Sequence, residues 1–282
     1  MAKKAKKSVA KGKGKRKSVG TSKVLLTVGI LLFLLFASFA LLMPNKVQRF
    51  YTRILRHLNS NPQSTYVLLP EQEVIGIDVS SYQKGIDWDK LEFHYDNKKK
   101  LTKDTEANKR PVDFIIAKAT EGVTIQDKQY AVNKAGAKEK KIPFGAYHYF
   151  SVTSDANQQA NNFIRTAKLQ AGDIVPILDV EYQGKLTTKE LRTRVLTWLK
   201  TVEKKYGRKP IIYTYANFYE DVFMTKEFSD YHFWLAHYKV SKPQNECSFW
   251  QFTEDGVVCG IDGYVDIDVF FGKKTELTKY KL

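Results

Sequence analysis

Short apolar runs recur along the chain from residue 74 onward, each bounded by glycine, proline or polar residues. Runs of this length that are rich in β-branched and aromatic residues are typical of buried strands rather than helices. We therefore predict eight strands, at 74–80, 112–119, 143–150, 175–181, 210–215, 233–238, 248–253 and 265–270.

Helical spacing appears between the first five runs. Thr187 and Glu190 match the T-x-x-E capping box that opens a helix, and Gly207 is placed to end it. Weaker patterns predict helices over 127–140 and 217–227, whereas the last three strands follow one another too closely for intervening helices. Another helix face is marked by Ala156, Ala160, Phe163, Ile164 and Ala167.

Strands that alternate with helices are typical of parallel βα units that close into a barrel. The predicted fold class is therefore α/β, as an irregular (β/α) TIM-like barrel of about eight strands with reduced helices in its C-terminal half. We expect the barrel over 71–272 and a C-terminal tail over 273–282. The lysine-rich segment 92–110 is expected to be a mobile surface insertion.

Four acidic residues fall where predicted strands end. They are Asp78 after the first strand, Glu121 after the second, and Asp179 and Glu181 at the end of the fourth. Barrel enzymes build their sites at the carboxyl ends of the strands, so these side chains are expected to meet there. The alternative for a single such acid is a strand end that turns its side chain into water.

The spacing of Asp179 and Glu181 predicts a pair of interacting carboxyl groups. Residues two apart on a strand face the same side, so the two carboxyl groups are expected to repel each other. That repulsion should raise the pKa of one of them. A protonated acid beside an ionised one is the arrangement that cleaves a glycosidic bond.

The N-terminal part has a different composition. Residues 1–23 form a basic tail with ten lysines and arginines and no acid, and 24–43 are apolar except for Thr27 and Ser38. A run of about 20 such residues spans a bilayer, and the basic side stays cytoplasmic. We predict one uncleaved transmembrane signal-anchor. A cleaved signal peptide is the alternative, since Ser38-Phe39-Ala40 has small residues at cleavage spacing.

Residues 44–70 are expected to hold a juxtamembrane amphipathic helix followed by a linker. The formal net charge is +16, and the basic tail accounts for ten of these charges. The remainder is only mildly basic, so nucleic acid is not expected as the main partner. A nucleic-acid-binding arm in residues 1–23 is a minor alternative.

Cys247 and Cys259 are the two cysteines of the chain. Export would permit a disulfide between them, since they flank a predicted strand and turn, and two free thiols are the alternative. No pair of histidines matches them, so the sequence predicts no zinc site and no other cofactor.

Six motifs occur in one order between about residue 74 and residue 271. Together they resemble glycoside hydrolase family 25, the lysozymes also called muramidases. The motifs are Asp78-Val79-Ser80 with Gln83, Gly85, Asp87 and Trp88; 116–122; 145–148; 179–181; 250–252; and 265–270.

The resemblance implies cleavage of the β-1,4 bond between N-acetylmuramic acid and N-acetylglucosamine in peptidoglycan. Glu181 takes the place of the general acid, and Asp179 that of the group that steadies positive charge or an N-acetyl group. Asp78 and Asp266 match the family's other acids, with Asp268 as a competitor for Asp266. A covalent nucleophile and attack by the substrate's own acetamide both stay open.

Several further residues are expected to line the groove. Aromatic faces suit sugar stacking, and the alternative for each is a place in the core. Lys118 is expected to form a structural ion pair with one of the acids, and His148 and His237 to be barrel histidines rather than catalysts. The predicted substrate-binding residues are Tyr147, Trp250, Tyr213, Glu121 and Gln251, with Trp234 as a further groove aromatic.

The expected setting is a bacterial cytoplasmic membrane, crossed once by 24–43, with the barrel on the periplasmic or extracellular side and monomeric. Two other functions compete with the hydrolase. One is a membrane-anchored peptidoglycan-binding protein without catalysis. The other is a membrane scaffold that binds cytoplasmic partners through its basic tail.

Overall fold

Twelve strands form in the computed structural model, which describes residues 67–282. They are β1 Val74–Val79, β2 Glu92–Tyr95, β3 Leu101–Thr102, β4 Asn108–Pro111, β5 Ile115–Glu121, β6 Ile125–Gln126, β7 Phe144–Tyr149, β8 Ile177–Asp179, β9 Ile211–Tyr215, β10 Phe233–Ala236, β11 Phe249–Gly256 and β12 Val265–Phe270. Eight of them make a ring in the order β1-β12-β11-β10-β9-β8-β7-β5, and β5 pairs with β1 to close it. The predicted eight-stranded α/β barrel is confirmed.

The direction of β12 makes the barrel irregular. The other ring strands run parallel to their neighbours, whereas β12 is antiparallel to both β11 and β1. A parallel pair needs a crossover of a dozen or more residues, and only residues 257–264 separate β11 from β12. The short spacing of the last strands therefore dictates the reversal, which the predicted parallel pattern did not include.

Helices cover the outside of the ring. They are α1 Tyr130–Glu139, α2 Ala156–Ala167, α3 Thr188–Tyr206 and the single turn α4 Ala216–Phe218. The capping box of Thr187 and Glu190 is present, and Gly207 ends α3 with a positive φ of 70°. The helix predicted over 217–227 is instead three short turns, because a π-type turn and a 3-10 turn follow α4.

Alternation along the strands divides the core into two layers. Side chains that face into the ring form one cluster, and those that face out pack against the helices. The inner layer includes Val74, Phe114, Ile116, Ile177, Ile211, Trp234, Phe249 and Phe270. The outer layer includes Ile75, Ile77, Leu178, Val180, Phe163, Trp198 and Leu199. The inner layer fills the ring below its carboxyl end.

The segment 92–110 is an ordered sheet, so its prediction as a mobile insertion was wrong. β3, β2 and β4 pair in that order as an antiparallel sheet. Phe93 and Leu101 are buried in the outer core, and the His94 ring bonds Glu92 Oε1 at 2.7 Å and the Asp104 carbonyl at 2.8 Å. The lysines that suggested a loop lie between the buried positions of this sheet, which stands between β1 and β5 where a helix would otherwise pack.

Both boundaries of the barrel domain differ from the expected 71–272. Leu69 is buried, and its amide donates to the Lys99 carbonyl, so the ordered unit already includes residues before 71. Residues 273–282 are no free tail, because a 3-10 turn at Glu276–Tyr280 buries Leu277 against the inner layer. The Val175 amide donates to the Tyr280 carbonyl at 2.8 Å, which fixes this segment beside β8.

The predicted basic tail, signal-anchor and amphipathic helix lie outside the described residues. Within 67–282 no helix is both long and apolar enough to cross a bilayer. Cys247 and Cys259 are free thiols. They stand before and after β11, so the length of that strand separates them, and the hairpin does not bring them together as the disulfide alternative required. Burial raises the pKa of the Cys247 thiol to about 12.

Candidate active site

Three aspartates meet at the carboxyl end of the ring. Asp78 and Asp266 are direct partners in the antiparallel ladder of β1 and β12, so their side chains stand side by side. Asp179 ends β8, and both Asp78 and Asp179 are buried, whereas Asp266 is half-buried. The reversal of β12 is what places the start of that strand beside the end of β1.

Glu181 shares a side with Asp179. The Val180 amide donates to the Tyr213 carbonyl at 2.9 Å, which continues the β8–β9 ladder beyond Asp179. Val180 packs in the outer core, so the residues on either side of it face the barrel mouth. Glu181 is half-buried and is followed by the exposed Tyr182. Continued alternation past the end of β8 is the basis for expecting Glu181 on the side of Asp179.

The Tyr147 phenol is close enough to the three aspartates to feel the charge of each. Burial raises the pKa of Tyr147 well above its ordinary value, and the negative charges of Asp78, Asp179 and Asp266 raise it further. Tyr147 is the inward-facing partner of Ile177 in the β7–β8 ladder, and its side chain is half-buried. It therefore stays a neutral hydrogen-bonding group inside the cluster of acids.

A chain of hydrogen bonds holds Asp78. Gln251 Nε2 donates to Asp78 Oδ2 at 2.6 Å. Gln251 Oε1 accepts from the Tyr213 hydroxyl at 2.8 Å and from the Tyr238 hydroxyl at 2.5 Å. Tyr238 was missed from the sequence, although it continues the alternation of Trp234 and Ala236 past the end of β10. The predicted residues Tyr213 and Gln251 thus belong to the hydrogen-bond chain that holds Asp78, and they do not face open solvent.

Asp268 occupies the layer below Asp266. It pairs with Gly76 rather than with Asp78, it is fully buried, and Trp234 Nε1 donates to its Oδ1 at 2.9 Å. Burial and the charges of Asp78 and Asp266 hold the pKa of Asp268 well above its ordinary value. Of the two competing acids, Asp266 is the one at the mouth.

Glu121 forms part of the wall on the β5 side. Lys118 Nζ lies 2.8 Å from Glu121 Oε2 and 4.9 Å from the centre of the Tyr149 ring. A bulge between Lys118 and Thr120 brings Glu121 round to the side of Tyr149. The ion pair predicted for Lys118 is confirmed, with Glu121 as its partner.

Trp250 does not face the acids, so its placement in the groove was wrong. It pairs with Leu235 and Val269, which face outward, and its indole Nε1 donates to the His237 carbonyl at 2.8 Å. Its ring stacks on Phe271 with centroids 6.1 Å apart. The alternation of β11 sends Gln251 inward and therefore its neighbour Trp250 outward.

Four exposed tyrosines lie at or beside strand ends at the mouth of the ring, a set we call the rim tyrosines: Tyr82 after β1, Tyr182 after β8, Tyr215 as the last residue of β9 and Tyr264 just before the antiparallel β12. Single exposed aromatic side chains are ordinary, whereas several at one end of a barrel are a candidate ligand-binding surface. None of the four was singled out from the sequence, because Tyr82, Tyr182 and Tyr264 stand just outside an apolar run and Tyr215 is the last residue of one. Among residues 67–282, no group of three or more histidine, cysteine or acidic side chains is arranged to hold a metal ion.

His148 is enclosed on the outer side of β7. Its ring stacks on Trp198 at 5.5 Å between centroids, and its nitrogens bond Thr120 Oγ1 at 2.7 Å and Gln159 Oε1 at 3.2 Å. Burial lowers the pKa of His148 to about 3. The expectation of a barrel histidine rather than a catalyst agrees with this position away from the acids.

The buried imidazole predicts a stability that falls with acid. In the unfolded chain a histidine takes up its proton near its ordinary pKa of about 6.5, whereas the folded state resists protonation down to about 3. Stability from this group is therefore complete above about 6.5 and lost as the pH falls, by at most about 1.4 kcal/mol per pH unit. Urea unfolding of the full-length protein between pH 7 and pH 4 measures this slope.

The matched comparison is His148→Gln beside His237→Gln, which alters a half-buried histidine. We expect the first variant to be less stable at pH 7 but to lose less stability on acidification than the wild type. The second should keep the wild-type slope. An unchanged slope in His148→Gln would show that other groups cause the acid sensitivity.

Known proteins that resemble this chain include members of one enzyme family. The model of the family described as "Glycosyl hydrolases family 25" matches residues 77–261. YegX, an uncharacterized protein of Escherichia coli O6:H1, is 42% identical over 205 residues, which is 72% of this chain and 71% of that protein. The autolytic lysozyme of Clostridium acetobutylicum is 29% identical over 197 residues, covering 69% of this chain and 55% of the lysozyme.

Solved structures give the same answer for the fold. A family 25 glycosyl hydrolase from Bacillus anthracis superposes with a TM-score of 0.66 at 25% identity, covering 79% of this chain and all of that one. Residues 77–261, which the family model matches, include Asp78, Asp179 and Glu181.

Proposed function

This chain belongs to glycosyl hydrolase family 25 and is a glycosidase, and we propose that it is a lysozyme that cleaves the β-1,4 bond between N-acetylmuramic acid and N-acetylglucosamine. The observation that carries the proposal is the cluster of Asp78, Asp179 and Asp266 around Tyr147, with Glu181 on the same side at the mouth. The lysozyme names of relatives and structural neighbours support a peptidoglycan substrate.

Glu181 is the general acid in this proposal. It is half-buried at the mouth, so it can reach a bound strand while it is partly shielded from water. Its proton passes to the glycosidic oxygen as the bond from that oxygen to the sugar C1 breaks. Water then adds to C1 and loses a proton to a carboxylate of the site, which leaves a new reducing end.

The three aspartates stabilise the positive charge that develops on the sugar in the transition state. An oxocarbenium-like transition state is positive, and fixed anions in a partly dry site stabilise it more than they stabilise the neutral substrate. Asp179, two residues before Glu181, is the group that we assign to the sugar ring or its N-acetyl group, as the family resemblance implies. Asp78 and Asp266 supply further negative charge, and Tyr147 supplies a neutral phenol between them.

Replacing Glu181 with glutamine tests the chemistry. Glutamine keeps the size of the side chain and cannot give up a proton, so hydrolysis should fall about 10²- to 10⁴-fold. Full-length protein is incubated with purified peptidoglycan sacculi, and new reducing ends are identified by mass spectrometry. Glu139→Gln, at an exposed position on α1, is the matched control and should keep wild-type activity.

The reducing ends that form distinguish the possible functions. Muramic acid ends made by wild type and lost in Glu181→Gln support both the bond and the acid. Glucosamine ends would keep the hydrolase and correct the bond. Sacculi that are bound but left intact by the wild type would favour the alternative of a non-catalytic peptidoglycan-binding protein.

The rim tyrosines are the proposed platform for the glycan strand, with Tyr147, Glu121 and Gln251 deeper in the groove. Tyr182 directly follows Glu181 and is 44% exposed, so it is placed to stack on a sugar next to the cleaved bond. Stacking of this kind contributes about 0.5–1.5 kcal/mol, which corresponds to a rise in KM of about 2- to 10-fold on loss of the ring.

Tyr182→Ala should therefore raise KM for soluble peptidoglycan fragments while kcat changes little. Tyr182→Phe keeps the ring and should keep the wild-type KM. The midpoint of thermal unfolding is measured for both variants so that folding effects are separated from binding. Equal KM values for the Tyr182→Ala variant and the wild type would exclude Tyr182 from the platform.

We also propose that residues 24–43 anchor the enzyme in the cytoplasmic membrane with the barrel outside. The apolar run and the basic tail before it are the support. Replacing Leu34 and Leu35 with arginine adds about 2.5–3.5 kcal/mol per residue to the cost of insertion, so the protein should leave the membrane fraction.

Membrane fractionation with protease treatment of intact spheroplasts measures this prediction. The wild-type barrel should be membrane-bound and cleavable from outside. Replacement of Lys3 and Lys4 by glutamine leaves eight basic residues in the tail and serves as a control that should stay anchored. Recovery of a shortened wild-type protein in the medium would favour the cleaved signal peptide instead.

A further inference from the structure

Asp268 is a fully buried acid that the proposed reaction does not use. It lies on β12 with Gly76 of β1 on one side and Gln251 of β11 on the other, one layer below the mouth. Its side chain is on the inner face, as are those of Asp266 and Phe270, because residues two apart on a strand share a face. It therefore sits directly beneath the pair of Asp78 and Asp266.

The contacts of Asp268 leave one buried oxygen without a donor. Trp234 Nε1 donates to Oδ1 at 2.9 Å, and no N–H or O–H of the described residues donates to Oδ2. Asp78 is the direct partner of Asp266, which is two residues from Asp268 on the same face, so Asp78 and Asp268 are diagonal neighbours in the β1–β12 ladder. A proton on Asp268 would turn Oδ2 into a donor to the Asp78 carboxylate, since two carboxyl groups can hydrogen bond to each other only when one of them carries a proton.

The surroundings place this proton on Asp268. Asp78 accepts from Gln251 Nε2 at 2.6 Å, and that bond favours its ionised form. Asp268 is fully enclosed, and the charged groups that act on it are Asp78 of β1 and Asp266 of β12, both negative. Its neighbours from β10 and β11, Trp234 and Gln251, are neutral. A buried carboxyl group beside two anions and without a cation keeps its proton.

We propose that Asp268 is a positioning residue that, as a neutral carboxylic acid, donates a hydrogen bond to Asp78. Together with Gln251 it fixes the Asp78 carboxylate from two directions and leaves that carboxylate ionised. The role in hydrolysis rests on the proposed function of Asp78, whereas the protonation of Asp268 does not.

Infrared spectroscopy tests the protonation without any substrate. The spectra are recorded in the Glu181→Gln background, so that the proposed general acid adds no band. Full-length Glu181→Gln protein at pH 7 should show the carbonyl stretch of a protonated carboxylic acid, and the further change Asp268→Asn should remove it. Asp230→Asn in the same background, which alters an exposed aspartate bound to Lys209, should keep the band. A band that is absent from Glu181→Gln, or unchanged on adding Asp268→Asn, would overturn the proposal.

Kinetics tests the positioning. Asparagine keeps one oxygen for Trp234 and one N–H for Asp78, so Asp268→Asn should stay within about threefold of the wild-type kcat. Asp268→Ala removes the donor and should lower kcat about 10-fold or more, because the Asp78 carboxylate loses one of the hydrogen bonds that hold it. Urea unfolding of both variants shows whether they fold.

The pH profile separates positioning from a structural role. Without the donor the Asp78 anion is less stabilised, so the acid limb of kcat/KM should move to higher pH in Asp268→Ala and stay in place in Asp268→Asn. An acid limb that moves to lower pH in Asp268→Asn would mean that Asp268 is normally an anion, which contradicts the proposal. If Asp268→Ala does not fold, the Asp268→Asn variant and the infrared band still show whether Asp268 carries a proton.

The two proposals can fail separately. A wild-type protein that cleaves no peptidoglycan but shows the Asp268-dependent band would overturn the lysozyme and retain the neutral acid. Active hydrolysis without the band would do the reverse.

Discussion

Like charges repel most strongly where water is excluded, and this barrel gathers its carboxyl groups at one end of a ring that is otherwise apolar inside. Asp78 and Asp266 are cross-strand neighbours, and Asp268 lies below them. The rest of the site reduces the cost of this crowding. Amide and phenol donors converge on Asp78 through Gln251, and an indole N–H meets Asp268. The inward positions of β9, β10 and β11 are therefore largely determined by the acids of β1 and β12.

Features that depend on local sequence patterns were predicted well. Apolar runs and a capping box report local preferences, so the eight ring strands, α3 and the glycine that ends it were placed correctly. The strand-end acids were found because a carboxylate after an apolar run breaks the pattern. Asp78, Asp179 and Asp266 do lie together, although only the family resemblance singled out Asp266 in advance.

The remaining features depend on pairing between distant strands. Trp250 was assigned to the groove because it lies in a matched motif, but the register of β11 turns it outward and its neighbour Gln251 inward. Tyr238 bonds Gln251 although it follows its strand and carries no motif. Segment 92–110 appeared to be a loop because its lysines outnumber its buried residues, yet a few large apolar side chains suffice to dock a small sheet.

The ring is closed by strands from opposite ends of the domain, since Val74 pairs with Phe270 about 200 residues later. Contacts so distant in sequence form late, because a long loop must be closed before they are gained. Until β12 arrives, one edge of β1 is an open row of amides and carbonyls, and Asp78 has neither Asp266 nor Asp268 beside it. A chain that stops before β12 therefore carries Asp78 and Asp179 but lacks Asp266 and Asp268, so the catalytic geometry depends on closing the ring.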